Sequence, residues 1–179
     1  MTKLYLVRHG ETYDNARQIM QGQTQGELNA TGIQQAQVVQ RQMQNVPLDA
    51  VVSSDLHRSI QTATIIAEPH GLQVVTTSLL RERDWGDFTG MFIPDIKDKA
   101  WPDNVESLHQ ITERASQFLA FIRENYPNQQ VLAVGHGIIN KAIQAVFYNK
   151  QMNEIERMVN AEVRVLVSYT DIGRHIYKS

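Results

Sequence analysis

Apolar residues occur in short bursts separated by longer amphipathic stretches, a rhythm that predicts alternating strands and helices. Residues 3–7 form an apolar run that stops at Arg8-His9-Gly10, the pattern of a buried strand ending in a loop. A polar, glycine-containing stretch covers 11–30. Thr31, with Gln34 three residues on, has the form of a capping box and opens a predicted helix to about residue 45. Ile33, Ala36, Val39 and Met43 recur at three or four residues on its apolar face, and glutamines fill the others. Ala50-Val51-Val52 marks a second buried strand over 49–54, followed by a helix over 56–69. A third strand is expected at 73–77. Residues 80–102, with Gly86, Gly90, Pro94 and Pro102, read as an irregular loop or lid in which Trp85 and Phe88 pack. A long helix over 105–125 ends at Tyr126-Pro127, because proline cannot continue it. Strand 130–134, helix 138–148 and a closing strand pair at 162–168 and 174–178 complete the pattern. Strands alternating with helices imply an α/β fold, a three-layer α/β/α sandwich around a mostly parallel sheet.

Length and composition narrow the picture. At 179 residues the chain fits a single domain, 1–179, and no repeat or linker divides it. Seventeen basic and nineteen acidic side chains leave a net charge of −2, so a nucleic-acid partner is not expected. There is no cysteine, which removes disulfides, thiolate metal sites and cysteine nucleophiles together. The first residues resemble neither a signal peptide nor a membrane span, and a cytoplasmic protein without membrane contact is the expectation. No exposed apolar helix face stands out to indicate an oligomeric state.

The candidate chemistry lies in an echo. KLYLVRHG and QVLAVGHG each put a His-Gly pair directly after an apolar strand. Ligands of open α/β sheets bind outside the carboxyl ends of the strands, so His9 and His136 should meet there. Arg8 ends the first strand, Arg58 falls in the first turn after the second, and Glu82 lies shortly beyond the third. Two arginines, two histidines and one carboxylate suit a tetrahedral oxyanion, since guanidinium donors match phosphate oxygens. A neutral imidazole can attack phosphorus and hold it covalently. His9, beside Arg8, is the better nucleophile candidate because neighbouring cations favour its unprotonated form. Glu82 is the acid at hand, and an approaching phosphate dianion favours its protonated state. The same arginines oppose a metal ion at His9, His136 and Glu82, so no metal and no cofactor are expected. His57, His70, His109 and His175 are read as surface or packing residues.

These motifs, in this order, resemble the histidine phosphatase superfamily in its phosphoglycerate mutase-like branch. The resemblance is carried by LVRHGET at 6–12 with Asn15, by Gln21-Gly22, Leu28-Asn29, Gly32 and Gln35-Ala36, by SSDLxRSxQTA at 53–63, by Leu80-Arg81-Glu82 with Gly86, and by Gly135-His136-Gly137. The Arg-x-Pro that usually follows RHG in the acid phosphatase branch is absent. By resemblance His9 is the phosphorylated nucleophile and Arg8, Arg58 and His136 clamp the phosphoryl group. Glu82 is the proton donor, and Asn15, Gln21, Gly22 and Gly137 fall where the family contacts substrate. The implied activity is metal-independent hydrolysis of small phosphorylated metabolites. A phosphoglycerate mutase is the alternative among enzymes, and a non-catalytic phosphoanion-binding regulatory module the alternative of another class. Good mutases of the family carry longer insertions between the acid and the second histidine. Three departures stand out: Gly135 where Ser is commoner, Ile138 where Gly is frequent, implying a narrower pocket, and Val105-Glu106-Ser107 in place of Gly-Glu-Ser.

Overall fold

The computed structural model describes residues 1–168. Among the described residues five strands form one sheet: β1 (Thr2–Arg8), β2 (Ala50–Ser54), β3 (Val74–Thr77), β4 (Gln130–Gly135) and β5 (Val163–Ser168), in the order β3-β2-β4-β1-β5. The first four are mutually parallel, and β5 closes the edge antiparallel to β1. The expected partner of β5 at 174–178 lies outside the described residues.

Alternation along the strands sends side chains to two cores. Leu4 and Leu6 of β1 join Val131 and Ala133 of β4 under α5 (Leu108–Asn125) and α6 (Gly137–Tyr148). Val7, Val51, Leu132 and Val134 face the other way, under α2 (Ala30–Met43) and α3 (His57–Ala67). The sheet is therefore covered on both sides, as continuous apolar strands require. Phe118 of α5 is fully buried in the first core, where truncation to alanine typically costs about 3–5 kcal/mol.

Helix starts differ from the expectation in two places, each for a local reason. The N-cap of α2 is Asn29, whose Oδ1 accepts from Gly32 N at 2.9 Å, and Thr31 is exposed on the first turn. Asn29 also donates to Glu11 Oε1 at 2.8 Å, tying the helix start to the loop after β1. That loop and the helix pack so closely that a Cβ on Gly32 would sit 2.0 Å from Glu11 O. Gly32 thus takes the inward position, and Ile33, placed on the apolar face by spacing, is 40% exposed. Helix α5 starts at Leu108, after the Ser107 cap, because Glu106 is held outside it: its N donates to Asp84 O and its O accepts from Arg83 Nε.

Two short helices fall in stretches read as irregular: α1 (Tyr13–Ala16), capped by Thr12, and α4 (Ile93–Ile96). Segment 90–93 is clasped to residues 18–20 by Gly90 N to Met20 O, Met20 N to Met91 O and Ile93 N to Gln18 O. Phe88 and Ile96 are buried beneath it.

Candidate active site

The register of β1 on β4 sets Arg8 opposite Gly135, so the two His-Gly pairs leave the sheet at the same level. The His9 and His136 rings lie 5.0 Å apart, centroid to centroid. His9 Nδ1 is 2.7 Å from Gly10 O, and a carbonyl oxygen only accepts. The proton is therefore assigned to Nδ1, and Nε2 keeps its lone pair. Arg58 Nε donates to that lone pair at 3.3 Å. Burial first, then Arg58 and Arg8, holds the His9 imidazole well below its usual range and neutral. Its backbone is pinned by His9 N to Gly135 O at 3.1 Å, and Gly10 N donates to Thr62 Oγ1.

His136, wholly buried, has Nε2 3.2 Å from Ser59 Oγ, while its Nδ1 has no partner among the described residues. It too is kept neutral, by burial and then by Arg58 and His9.

The arginines are unusual in their isolation from carboxylates. Arg58 is 1% exposed and donates to the carbonyls of Gly22, Gln25 and Thr24. Arg8 donates from Nη1 to Met158 O at 2.7 Å, and its buried Nε has no partner among the described residues. Burial pulls each down to about 10, with Arg157 the next cause for Arg8, so both stay charged at neutral pH. The ion pairs among the described residues involve other groups. One buried and one part-buried cation with dipoles but no contacting counter-ion make a costly arrangement unless an anion completes it.

Glu82, also buried, lays its carboxylate on the first turn of α6. Ile138 N donates to it at 3.0 Å, Ile139 N at 3.2 Å and Arg83 N at 2.8 Å. Helix N-terminal N–H groups lack partners within the helix, and a carboxylate satisfies them. Glu82 O accepts from Gln23 Nε2 and from Arg114, which grips Glu106 through both carboxylate oxygens. The Glu106-Ser107 pair, retained where 105 departs from the pattern, thus anchors the acid's segment and caps α5.

The other expected site residues surround this group. Asn15 Oδ1 accepts from Thr12 N and Asn160 Nδ2. Gln21 Oε1 accepts from Thr12 Oγ1 and, like Arg58, lies against Gly26, while Gly22 offers its carbonyl to Arg58. Gly137 opens α6 beside His136. Two departures acquire reasons. A Cβ at Gly135 would lie 2.2 Å from Asn140 Oδ1, so glycine makes room for an amide that donates to Val7 O. Ile138, expected to narrow the pocket, packs its side chain against the α5–α6 core, and its backbone N–H is what serves Glu82.

Sequence reasoning missed residues 157–161. Met158 O holds Arg8, Asn160 Nδ2 holds His9 O at 3.1 Å, and Ala161 N donates to Arg8 O. Arg157 reaches over Gly137. This loop has no periodicity to read. Ser59 and Thr62 were legible only as motif letters, although their spacing from Arg58 places Thr62 on the same helix face.

No helix among the described residues is long and apolar enough to cross a membrane. The model of the histidine phosphatase superfamily, branch 1, matches residues 4–176. The chain is 38% identical over 166 residues to the uncharacterized phosphatase PhoE of Bacillus subtilis, covering 90% of this chain and 86% of that one. It is 35% identical over 153 residues to the probable phosphoglycerate mutase GpmB of Salmonella arizonae, covering 77% and 71%. The solved structure of a mycobacterial glucosyl-3-phosphoglycerate phosphatase superposes with a TM-score of 0.86 at 28% identity, covering 92% of each chain. With strand-end histidines, arginines that contact no carboxylate and a helix-bound glutamate already in place, these likenesses lead to one conclusion: the chain belongs to branch 1 of the histidine phosphatase superfamily.

Proposed function

We propose that this chain is a single-domain phosphatase that hydrolyses small phosphate monoesters through a phosphohistidine on His9, without a metal. The observation that carries the reading is the His9 imidazole: its proton is committed to Gly10 O, and its Nε2 lone pair faces a buried arginine with no contacting counter-ion among the described residues. Nε2 attacks phosphorus as the ester P–O bond breaks. Glu82 gives its proton to the leaving oxygen, so an alcohol departs and a carboxylate remains. Water then attacks the phosphohistidine, Glu82 takes its proton, and the P–N bond breaks to release phosphate. Arg8, Arg58 and His136 surround the equatorial oxygens and supply fixed charge and hydrogen bonding where negative charge shifts. Asn15, Gln21, Gly22 and Gly137 complete the lining. The Arg8 and Arg58 guanidiniums take the electrostatic role a divalent cation fills elsewhere.

Nitrophenyl phosphate should therefore be hydrolysed in excess EDTA, and 3-phosphoglycerate should release free phosphate. A mutase, the reading favoured by the GpmB relative, would instead convert 3-phosphoglycerate to its isomer. Activity restored only by a divalent metal would contradict the mechanism. Binding of phosphate without turnover of either ester would make the chain a phosphoanion-binding module.

A further inference from the structure

The loop after α6 holds a third arginine that the phosphoryl chemistry leaves unused. Arg157 lies against Gly137, the residue after His136: a Cβ there would sit 2.7 Å from Arg157 Nε and 3.0 Å from an Nη. Its guanidinium makes no hydrogen bond or ion pair among the described residues. It is exposed, whereas the residues on either side anchor the loop. Ile155 and Met158 are buried, Met158 O is bound to Arg8, and Asn160 is bound to His9 O. The position of Arg157 at the pocket is thus set by the same contacts that hold the floor. Of the loop's acids, Glu154 is engaged on Gln151 N and Glu162 on Arg164 and Val159 N, while the exposed Glu156 offers only its backbone carbonyl, to Arg164, and makes no ion pair with Arg157 among the described residues.

Charge balance identifies what the third cation is for. Arg8 and Arg58 together match the charge of about −1.5 to −2 that a phosphate monoester brings. Arg157, exposed and without a partner among the described residues, remains outside that pairing. We propose that Arg157 selects substrates by pairing with a carboxylate carried on the leaving-group side of the phosphate ester. The field of Arg157 reaches the reacting groups, lowering both Arg8 and His9, so a carboxylate seated on it would also relieve like-charge repulsion there. A guanidinium matches a carboxylate with two parallel N–H donors, which confers orientation as well as affinity.

This inference rests on the phosphatase reading and is tested on matched esters: 3-phosphoglycerate against glycerol 3-phosphate, and phosphoserine against phosphoethanolamine. Wild type should favour the carboxylate-bearing member of each pair in kcat/KM. Arg157→Gln should remove about 10- to 100-fold of that preference, chiefly through KM, the scale of a charged hydrogen bond. Arg157→Lys should restore part of it. Calorimetry on His9→Ala, with and without Arg157→Gln, reads the same preference as binding and does not depend on turnover. Equal losses on every ester, nitrophenyl phosphate included, would make Arg157 a third phosphoryl clamp and overturn the inference, as would an unaltered preference. Absence of turnover in wild type with the binding preference intact would overturn the phosphatase reading alone.

Discussion

At the inner end of the pocket Arg58 is buried and held by three carbonyl groups and the His9 ring. At the outer end Arg157 carries the same guanidinium on a loop, exposed and without a partner among the described residues. The first arrangement fixes charge and geometry before substrate arrives, at the cost of desolvating a cation. It suits the phosphoryl group, which is the same in every substrate. The second costs little to form and little to change, and it suits the part of the substrate that varies. On the proposed reading turnover and choice of substrate are separated in space, and substitutions at the two ends should have different signatures.

The largest effect belongs to the floor. His9→Ala removes the proposed nucleophile and should lower kcat on all esters alike, on the order of 10^6-fold if its loss matches that of other covalent nucleophiles. A small or substrate-dependent loss in steady-state assays would place the nucleophile elsewhere. Glu82→Gln comes next and discriminates by leaving group. Alkyl phosphates expel a basic alkoxide and should lose about 100- to 10,000-fold, the range of general acid catalysis. Nitrophenyl phosphate should lose far less, because nitrophenolate departs unprotonated. Equal losses on both would assign Glu82 to holding α6 through Ile138 and Ile139, with no proton transfer.

Arg58→Ala should cost at least about 1.5–3 kcal/mol of transition-state stabilisation, one to two decades in kcat/KM, uniformly across esters. That uniformity separates it from Arg157, and a loss confined to carboxylate-bearing esters would dissolve the distinction between floor and rim.

The smallest effect is on stability. His9 and His136 are both held below their usual range by burial, so in acid the unfolded chain binds protons that the folded chain does not. Unfolding free energy should therefore fall as pH drops through the unfolded value near 6.5, by at most about 1.4 kcal/mol per pH unit for each histidine. Urea midpoints at pH 7.5 and 5.5 measure the slope, and His9→Ala should make it shallower. An unchanged slope would mean that His9 protonates in the folded state.

The floor was legible in the sequence and the rim was not, for a physical reason. Buried parallel strands leave apolar runs, and the residues just past them, Arg8-His9 and Gly135-His136, are placed by the sheet. Arg58 and Glu82 followed the same logic. Loop 155–162 owes its position to single contacts, Met158 O to Arg8 and Asn160 to His9 O, which leave no period in the chain. Helix α1 was missed because four residues are too few for an amphipathic pattern, although Thr12 and Asn15 form its capping box. Asn29 was passed over as a cap because Thr31 with Gln34 offers the capping-box pattern two residues later, while the bond from Asn29 to Glu11 that ties the helix start to the loop spans eighteen residues.

Whether phosphorus passes through His9 Nε2, as proposed, is read from an intermediate trapped on the protein. Wild type mixed with a phosphate monoester and quenched in base should carry one acid-labile, base-stable phosphoryl group, located on His9 by peptide mass spectrometry and absent from His9→Ala. A label on His136, or turnover with no covalent adduct at any quench time, would contradict it.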